Sequence, residues 1–327
     1  MRSRALVLHI RGLQVKRNAT SFPDGKRSNG AGETQPQTTP MPATKSSKAG
    51  SKSAQIKPSN PSEAAGAQSG MGAIPFKGGT AFRVWAPHAE SVSVIGTFNS
   101  FKDDADHLKS EGNGYWYGEA GQAKAGDEYK YIIRNGDKVL TRVDPYAREV
   151  THSVGNGVIY KDDFDWGDDN FRAPAWNEMA IYELHIGTFA RGEDGKPGTF
   201  DDAIKRLGYL KATGINAIEV MPVAEFAGDL SWGYNPAHPF SVESAYGGPD
   251  AYKRFIKAAH SHGIAVIQDV VYNHFGPADL DLWQFDGWSE NDKGGIYFYN
   301  DWRSATPWGD TRPGPYRAAH PGTPCEQ

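Results

Sequence analysis

Asp269, Asn273 and His274 are the residues of this chain whose types and spacing most directly suggest chemistry. They end the run Ile264-Ala265-Val266-Ile267-Gln268-Asp269-Val270-Val271-Tyr272-Asn273-His274, which Gly263 precedes and Gly276-Pro277 follows. The apolar part reads as a strand buried on both faces. A carboxylate inside such a strand is costly unless it is paired or hydrogen-bonded. Polar groups at the C-terminal end of a parallel strand, however, are where α/β barrels and open α/β sheets hold their sites. These residues alone leave two readings open. Asp269 is a structural acid with an internal partner and His274 a loop residue, or both are offered to a ligand.

The elements that must position them are legible upstream. Met179 to Ile186 reads as a first strand. Thr199 then precedes an amphipathic helix, with Phe200, Ala203, Ile204, Leu207 and Leu210 at helical spacing. Thr199 with Asp202 forms a capping-box pattern, and Gly214 suits the residue just past the helix end. Ile215 to Val223 reads as a second strand and residues 224–248 as a long polar-aromatic loop. Pro249 opens a second helix with Tyr252, Phe255, Ile256 and Ala259 on one face, ended by Gly263. The run holding Asp269 is therefore the third strand of a β-α-β-α-β series, the start of a parallel sheet or barrel. After it, residues 282–308 carry Trp283, Trp288, Tyr297, Phe298, Tyr299, Trp302 and Trp308. This segment reads as a compact loop filled by its own aromatics, as a wall for sugar rings, or as both.

Before the series lies a different pattern. Phe82 to Pro87, Ser91 to Gly96, Tyr115-Trp116-Tyr117, Glu128 to Ile133 and Lys138 to Leu140 are short strands between turn clusters. Arg134-Asn135-Gly136-Asp137 is a tight-hairpin signal. The expected fold is multidomain: an all-β, immunoglobulin-like sandwich over residues 73–165, then the first part of a (β/α)8 TIM barrel over 166–327. That second part supplies strands one to three and the start of the loop domain after strand three. Residues 1–72 read as a disordered basic leader and linker, poor in large apolar residues. Their first 20 residues carry five basic groups and no acid. A disordered or misassigned start is favoured over a targeting segment.

Charge separates the two regions. Residues 1–72 hold 11 Lys and Arg against 3 Asp and Glu, and the remainder 24 against 36. The folded part is acidic, so nucleic acid is not an expected partner. There is no apolar run of about 18 residues, so no membrane partner is expected either. Cys325 is the single cysteine, which excludes an intrachain disulfide framework and a Cys-based zinc site. With no clear export signal, the expected location is cytoplasmic.

Asp269-Val270-Val271-Tyr272-Asn273-His274 resembles the first conserved region of the α-amylase superfamily, glycoside hydrolase family 13. Trp232-Gly233-Tyr234-Asn235-Pro236 and Ala245 to Asp250 resemble its matching loop and helix start. Phe82 to Pro87, Gly96-Thr97-Phe98-Asn99, Gly114-Tyr115-Trp116 and Asp144 to Ala147 resemble the family 48 carbohydrate-binding module. The resemblance covers about residues 75–312. Within the superfamily, Gly294 to Tyr299 followed by Thr306-Pro307-Trp308-Gly309 resembles bacterial 1,4-α-glucan branching enzymes. Tyr182 to Phe189 and Val271 to Pro277 are shared with maltooligosyl-trehalose trehalohydrolases as well. A non-catalytic glucan-binding protein is a further alternative.

The resemblance implies an α-1,4-glucan partner (glycogen, starch or maltooligosaccharides) and a retaining transfer that cleaves α-1,4 links and forms α-1,6 branches. It implies that Tyr234, beside Trp232, stacks on the sugar at the −1 subsite and that His274 donates a hydrogen bond to that sugar. Asp269 holds the strand end in register, and Asn273 occupies a position that binds calcium in many amylases. Branching enzymes generally lack that ion, so no metal and no cofactor are expected. Retention needs two carboxylates about 5–5.5 Å apart. Nothing after His274 resembles the family's nucleophile Asp or acid/base Glu, so no turnover by this chain alone is expected. From Pro313 onward the sequence stops resembling the family, and a frameshift or truncation near that residue is the expectation.

Overall fold

The structure, a computed structural model, describes residues 68–103, 105–191, 195–272, 275 and 281–302. Of the segment 1–72 expected to be disordered, residues 1–67 lie outside those residues, as does the change of character after Pro313. Residues 68–72 are instead placed on the sandwich, with the Gln68 and Gly70 carbonyls accepting from Arg83 and Gly72 opening the first strand.

Two sheets form the sandwich. The strands β1 (Gly72–Phe76), β2 (Gly79–Trp85), β3 (Ser91–Gly96), β4 (Asp106–His107), β5 (Lys109–Gly112), β6 (Tyr115–Ala120), β7 (Glu128–Asn135), β8 (Lys138–Arg142) and β9 (Gly157–Val158) supply them. One sheet has the order β1-β2-β6-β5, and the other β4-β3-β7-β8 with β9 also on β7. Alternation puts Phe82, Val84, Val92, Val94, Tyr129, Tyr131 and Ile133 between them, all buried. The hairpin signal is realised as Asn135 paired with Lys138, with Gly136 at φ 55° in the turn between them. Asp144 lies in the same core. It accepts hydrogen bonds from the Tyr129 and Tyr131 hydroxyls and from the Tyr146 amide. Burial raises its carboxyl to about 6 against these bonds.

The second region contains β10 (Ile181–Leu184), α1 (Ile186–Phe189), α2 (Phe200–Ile204), α3 (Leu207–Ala212), β11 (Ala217–Val220), β12 (Ala224–Phe226), β13 (Pro236–Val242), α4 (Gly248–Ser261) and β14 (Ala265–Gln268). β10, β11 and β14 form a parallel sheet in that order. Leu184, Ile218 and Val220 pack on Phe200, Leu207, Leu210 and Phe255 of the helices. The alternate residues Ile181, Glu183, Glu219 and Ile267 take the other face.

Three expectations change. The first strand ends at Leu184, because Ile186 already begins a helical turn. The helix after Thr199 is split. The Arg206 amide bonds to the Ala203 carbonyl three residues back, a tightened turn that offsets α2 from α3. The third strand is not buried on both faces. β14 borders the described sheet, Val266 and Ile267 are half-buried, and Val270 and Tyr272 beyond it are 50% and 54% exposed. Only its helix-facing side has a packed layer among the described residues.

The capping box is present. Thr199 Oγ1 accepts from the Asp202 amide at 3.1 Å, and Asp202 accepts from the Thr199 amide at 3.2 Å. Thr199→Ala is therefore expected to cost about 1 kcal/mol in a denaturant melt.

Residues 281–302 have turns and one short 3-10 segment at Gly295–Tyr297. Their aromatics pack on one another, Trp283 on Phe298 and Phe285 on Tyr297. They also join the sandwich core: Tyr297 meets Trp85 edge-on, and Trp288 stacks on His88 at 4.4 Å. Asp286, fully buried, accepts from the His88 amide at 3.0 Å and contacts the His88 ring at 2.9 Å. Arg142 donates to the Phe285 and Gln284 carbonyls, and Asn135 to that of Asp286. Most of this aromatic surface is thus consumed in holding the segment on the module. Asp286→Ala strands the His88 and Trp288 amides, so a loss of about 2 kcal/mol is expected, with faster proteolysis within 281–302.

Candidate functional site

Residues 224–248, expected as a loop, contain the antiparallel pair β12–β13. The turn between these strands carries Trp232 and Tyr234. At Gly233 the backbone φ is 84°, and a Cβ there would lie 2.1 Å from the Pro222 carbonyl oxygen. Only glycine fits that approach. The Gly233 amide donates to Ser231 Oγ at 3.1 Å, and the Ser231 hydroxyl donates to Asn235 Oδ1 at 3.0 Å.

This turn brings the Tyr234 hydroxyl to Asp269 Oδ2, donating at 2.9 Å. Asp269 itself is fixed by its amide, which donates at 3.0 Å to the carbonyl of Val220, the last residue of β11. The pair therefore sits at the C-terminal end of the parallel sheet. The Tyr234 hydroxyl is raised above its ordinary value, by desolvation first, then by its bond to Asp269 and that carboxylate's charge, and by Glu183 and Glu219. The carboxylates of three neighbouring strands thus converge electrostatically on one phenol. Tyr234 is 38% and Trp232 73% exposed, leaving both rings open to a flat ligand. Asn273 and His274 lie outside the described residues.

His185, which the sequence reading did not single out, supports this turn. Its Nε2 lies 2.8 Å from the Ser231 carbonyl, which can only accept, so Nε2 carries the proton. Nδ1 then accepts from Thr188 Oγ1 at 2.9 Å. The available signal was its place immediately after the first strand, where such sheets hold their sites.

At the base of the hairpin, two acids are buried. Glu225 accepts from the Ser244 amide at 2.7 Å, and Glu243 from the Ala245 and Phe226 amides at 3.0 and 3.2 Å. Burial raises Glu225 to about 8, with the Glu243 charge adding to it, and burial raises Glu243 to about 7. The hairpin is also fastened to the sandwich. Ser241 Oγ donates to the Ala147 carbonyl at 2.7 Å, His238 Nε2 to that of Ser153 at 2.8 Å, and Phe240 stacks on Tyr146.

Residues 180–313 match the α-amylase catalytic-domain family, and residues 70–147 match carbohydrate-binding module 48, the isoamylase N-terminal domain. This chain belongs to the α-amylase superfamily. A malto-oligosyltrehalose trehalohydrolase of Saccharolobus solfataricus is 36% identical over 237 residues, covering 71% of this chain and 38% of the relative. A 1,4-α-glucan branching enzyme of Nitrosomonas europaea is 34% identical over 238 residues, covering 68% and 32%. A pullulanase structure from Bacillus acidopullulyticus superimposes with a TM-score of 0.55 at 27% identity, covering 64% and 30%. The chain therefore spans about a third of the length of these relatives. Its architecture is a family 48 sandwich followed by the start of an amylase-type catalytic domain.

Proposed function

We propose that this chain carries the first sugar contacts of an α-glucan-acting, retaining glycosyl transferase of the branching-enzyme type. The observation that carries the reading is the Tyr234–Asp269 hydrogen bond at the C-terminal rim of the sheet, with the Tyr234 ring left open. In this reading Asp269 orients the phenol so that its ring face meets the sugar at the −1 subsite. Trp232 extends the aromatic surface, and the family resemblance gives His274 the role of donating to the same sugar. Asp269 is a positioning residue, since its carboxylate is engaged by Tyr234.

The partner is an α-1,4-glucan in the cytoplasm. No helix among the described residues is long and apolar enough to cross a membrane. Retention needs a second carboxylate across the scissile bond, and Asp269, Glu183 and Glu219 provide no motif for a nucleophile and acid pair. The chain alone is therefore proposed to bind glucan without turning it over. A trehalohydrolase is the second reading, supported by the Saccharolobus relative at an identity that branching-enzyme relatives equal.

The test is retention of the full chain in a glycogen-containing native gel, beside an iodine-stain assay. Tyr234→Ala is expected to weaken retention about tenfold, through loss of a ring and its fixed geometry. Equal retention of the two proteins would remove the site. A change in iodine absorbance with the purified chain would overturn the binding-only reading.

A further inference from the structure

The seam between the sandwich and the hairpin opens into a cleft of about 360 Å³. Its wall includes Tyr146 and Arg148 from the module, Tyr160 and Asp162 from the segment after β9, Phe240 of β13 and Lys253 of α4. Tyr146 and Phe240 stack with centroids 5.4 Å apart and planes 7° from parallel. Phe240 is 43% exposed, so it presents ring surface to solvent as well as to Tyr146. Across the cleft Lys253 is anchored by the Tyr160 hydroxyl at 2.6 Å and by Asp162, and Tyr160 donates to Asp250 at 2.6 Å. Arg148 is exposed and makes no hydrogen bond or ion pair among the described residues.

These groups fit one chemical class. A flat aromatic surface takes the apolar face of a pyranose. Lys253 is paired with Asp162, so the open polar group beside the rings is the Arg148 guanidinium, whose five N–H donors can meet the hydroxyl oxygens of a sugar. The volume lies within the range of small-ligand sites. The module's own tryptophans do not supply such a surface. Trp116 Nε1 donates to the Ala86 carbonyl and its ring packs on the core. Trp85 donates to the Asn113 carbonyl and lies against Tyr297.

We propose that this cleft is a second α-glucan contact, with Phe240 as the stacking platform and Arg148 as the free hydrogen-bond donor. The inference rests on the glucan reading above. It assigns the module's part in binding to its seam with the hairpin rather than to its tryptophans. A chain held there would also bridge β13 to the module, on the same hairpin that carries Tyr234.

The experiment is hydrogen exchange of the unaltered full chain with and without maltoheptaose, joined to glycogen-gel retention of Phe240→Ala and Arg148→Ala. Slowed exchange is expected at 146–148 and 240–242, and each substitution is expected to weaken retention about fivefold. Arg148→Ala removes an exposed side chain without partners among the described residues, so its effect is not confounded by misfolding. If retention is unchanged in both variants, or exchange slows only around 232–234, the second contact is wrong while the glucan reading stands. If the unaltered chain is neither retained nor protected, the glucan reading itself fails.

Discussion

Arg83→Ala is expected to cost about 3–5 kcal/mol, the range for leaving one member of a buried ion pair alone. Arg83 is fully buried in the middle of β2. Its Nε and Nη2 grip the two oxygens of Glu111 at 2.8 and 2.9 Å, the fork geometry only arginine offers. Nη1 donates to the Gly70 carbonyl at 2.7 Å and to that of Gln68, and the guanidinium lies 4.6 Å from the centre of the Tyr117 ring. One side chain thus ties the segment before β1 to β2, β5 and β6. Removing it strands the Glu111 carboxylate and two carbonyls together. Lysine could replace the charge but not the fork, so Arg83→Lys should recover little. The pair Arg83→Met with Glu111→Leu should recover most of the loss, because no charge is then left without its partner. Urea denaturation of the full chain measures all three. A loss below about 1 kcal/mol for Arg83→Ala would show that water replaces these bonds freely.

Such a loss would reach the candidate site, because the module holds both loops at the sheet's C-terminal end. Ala147 and Ser153 accept from the hairpin that carries Tyr234, and His88 clasps Asp286. This dependence was not legible in the sequence. Thr199 with Asp202, Pro249 and the Asn135-Gly136 turn could be read because each acts on its immediate neighbours in the chain. The paired strands β12 and β13 were hidden for the opposite reason. Glu225, His238 and Glu243 look like loop residues until tertiary contact buries them, and the register between the strands shifts twice. The exposure of Val270 and Tyr272 was missed because an apolar run does not reveal whether both faces have a neighbour. At the site, resemblance pointed to Tyr234 and Asp269 separately. The bond between them, across 35 residues, is a fact of the fold. Trp85, within the strand that its alternation predicts, packs at the edge of the core. It is half-buried, because its ring belongs to the seam with Tyr297.

Glu225→Gln is expected to make the chain more stable at pH 8 while changing little at pH 5. Glu225 and Glu243 ordinarily titrate near 4.5 and are raised to about 8 and about 7, by burial first in both. Each binds its proton more tightly in the folded chain than in the unfolded one. Their contribution is therefore fully present below about pH 4.5 and is lost as pH rises through 7 and 8. Asp144, raised from 3.8 to about 6, adds to the same fall at its lower end. His238 works oppositely: burial lowers its imidazole, so its contribution is lost as pH falls. Asp229 faces both glutamates and reinforces their shift. The unaltered chain should lose on the order of 6 kcal/mol between pH 5 and 8 from the two glutamates together. A glutamine at 225 can still accept from the Ser244 amide and donate to its hydroxyl, so the fold tolerates it. At 243 both oxygens accept from backbone amides, so Glu243→Gln turns an NH2 toward an N–H and should destabilise at every pH. Urea titrations at pH 5, 6.5 and 8 separate the variants, and parallel curves for the unaltered chain and Glu225→Gln would refute the assignment. The same loss should appear in glycogen retention. Both glutamates belong to the hairpin that carries Tyr234, so if the proposed glucan contact at Tyr234 holds, charging them is expected to weaken it.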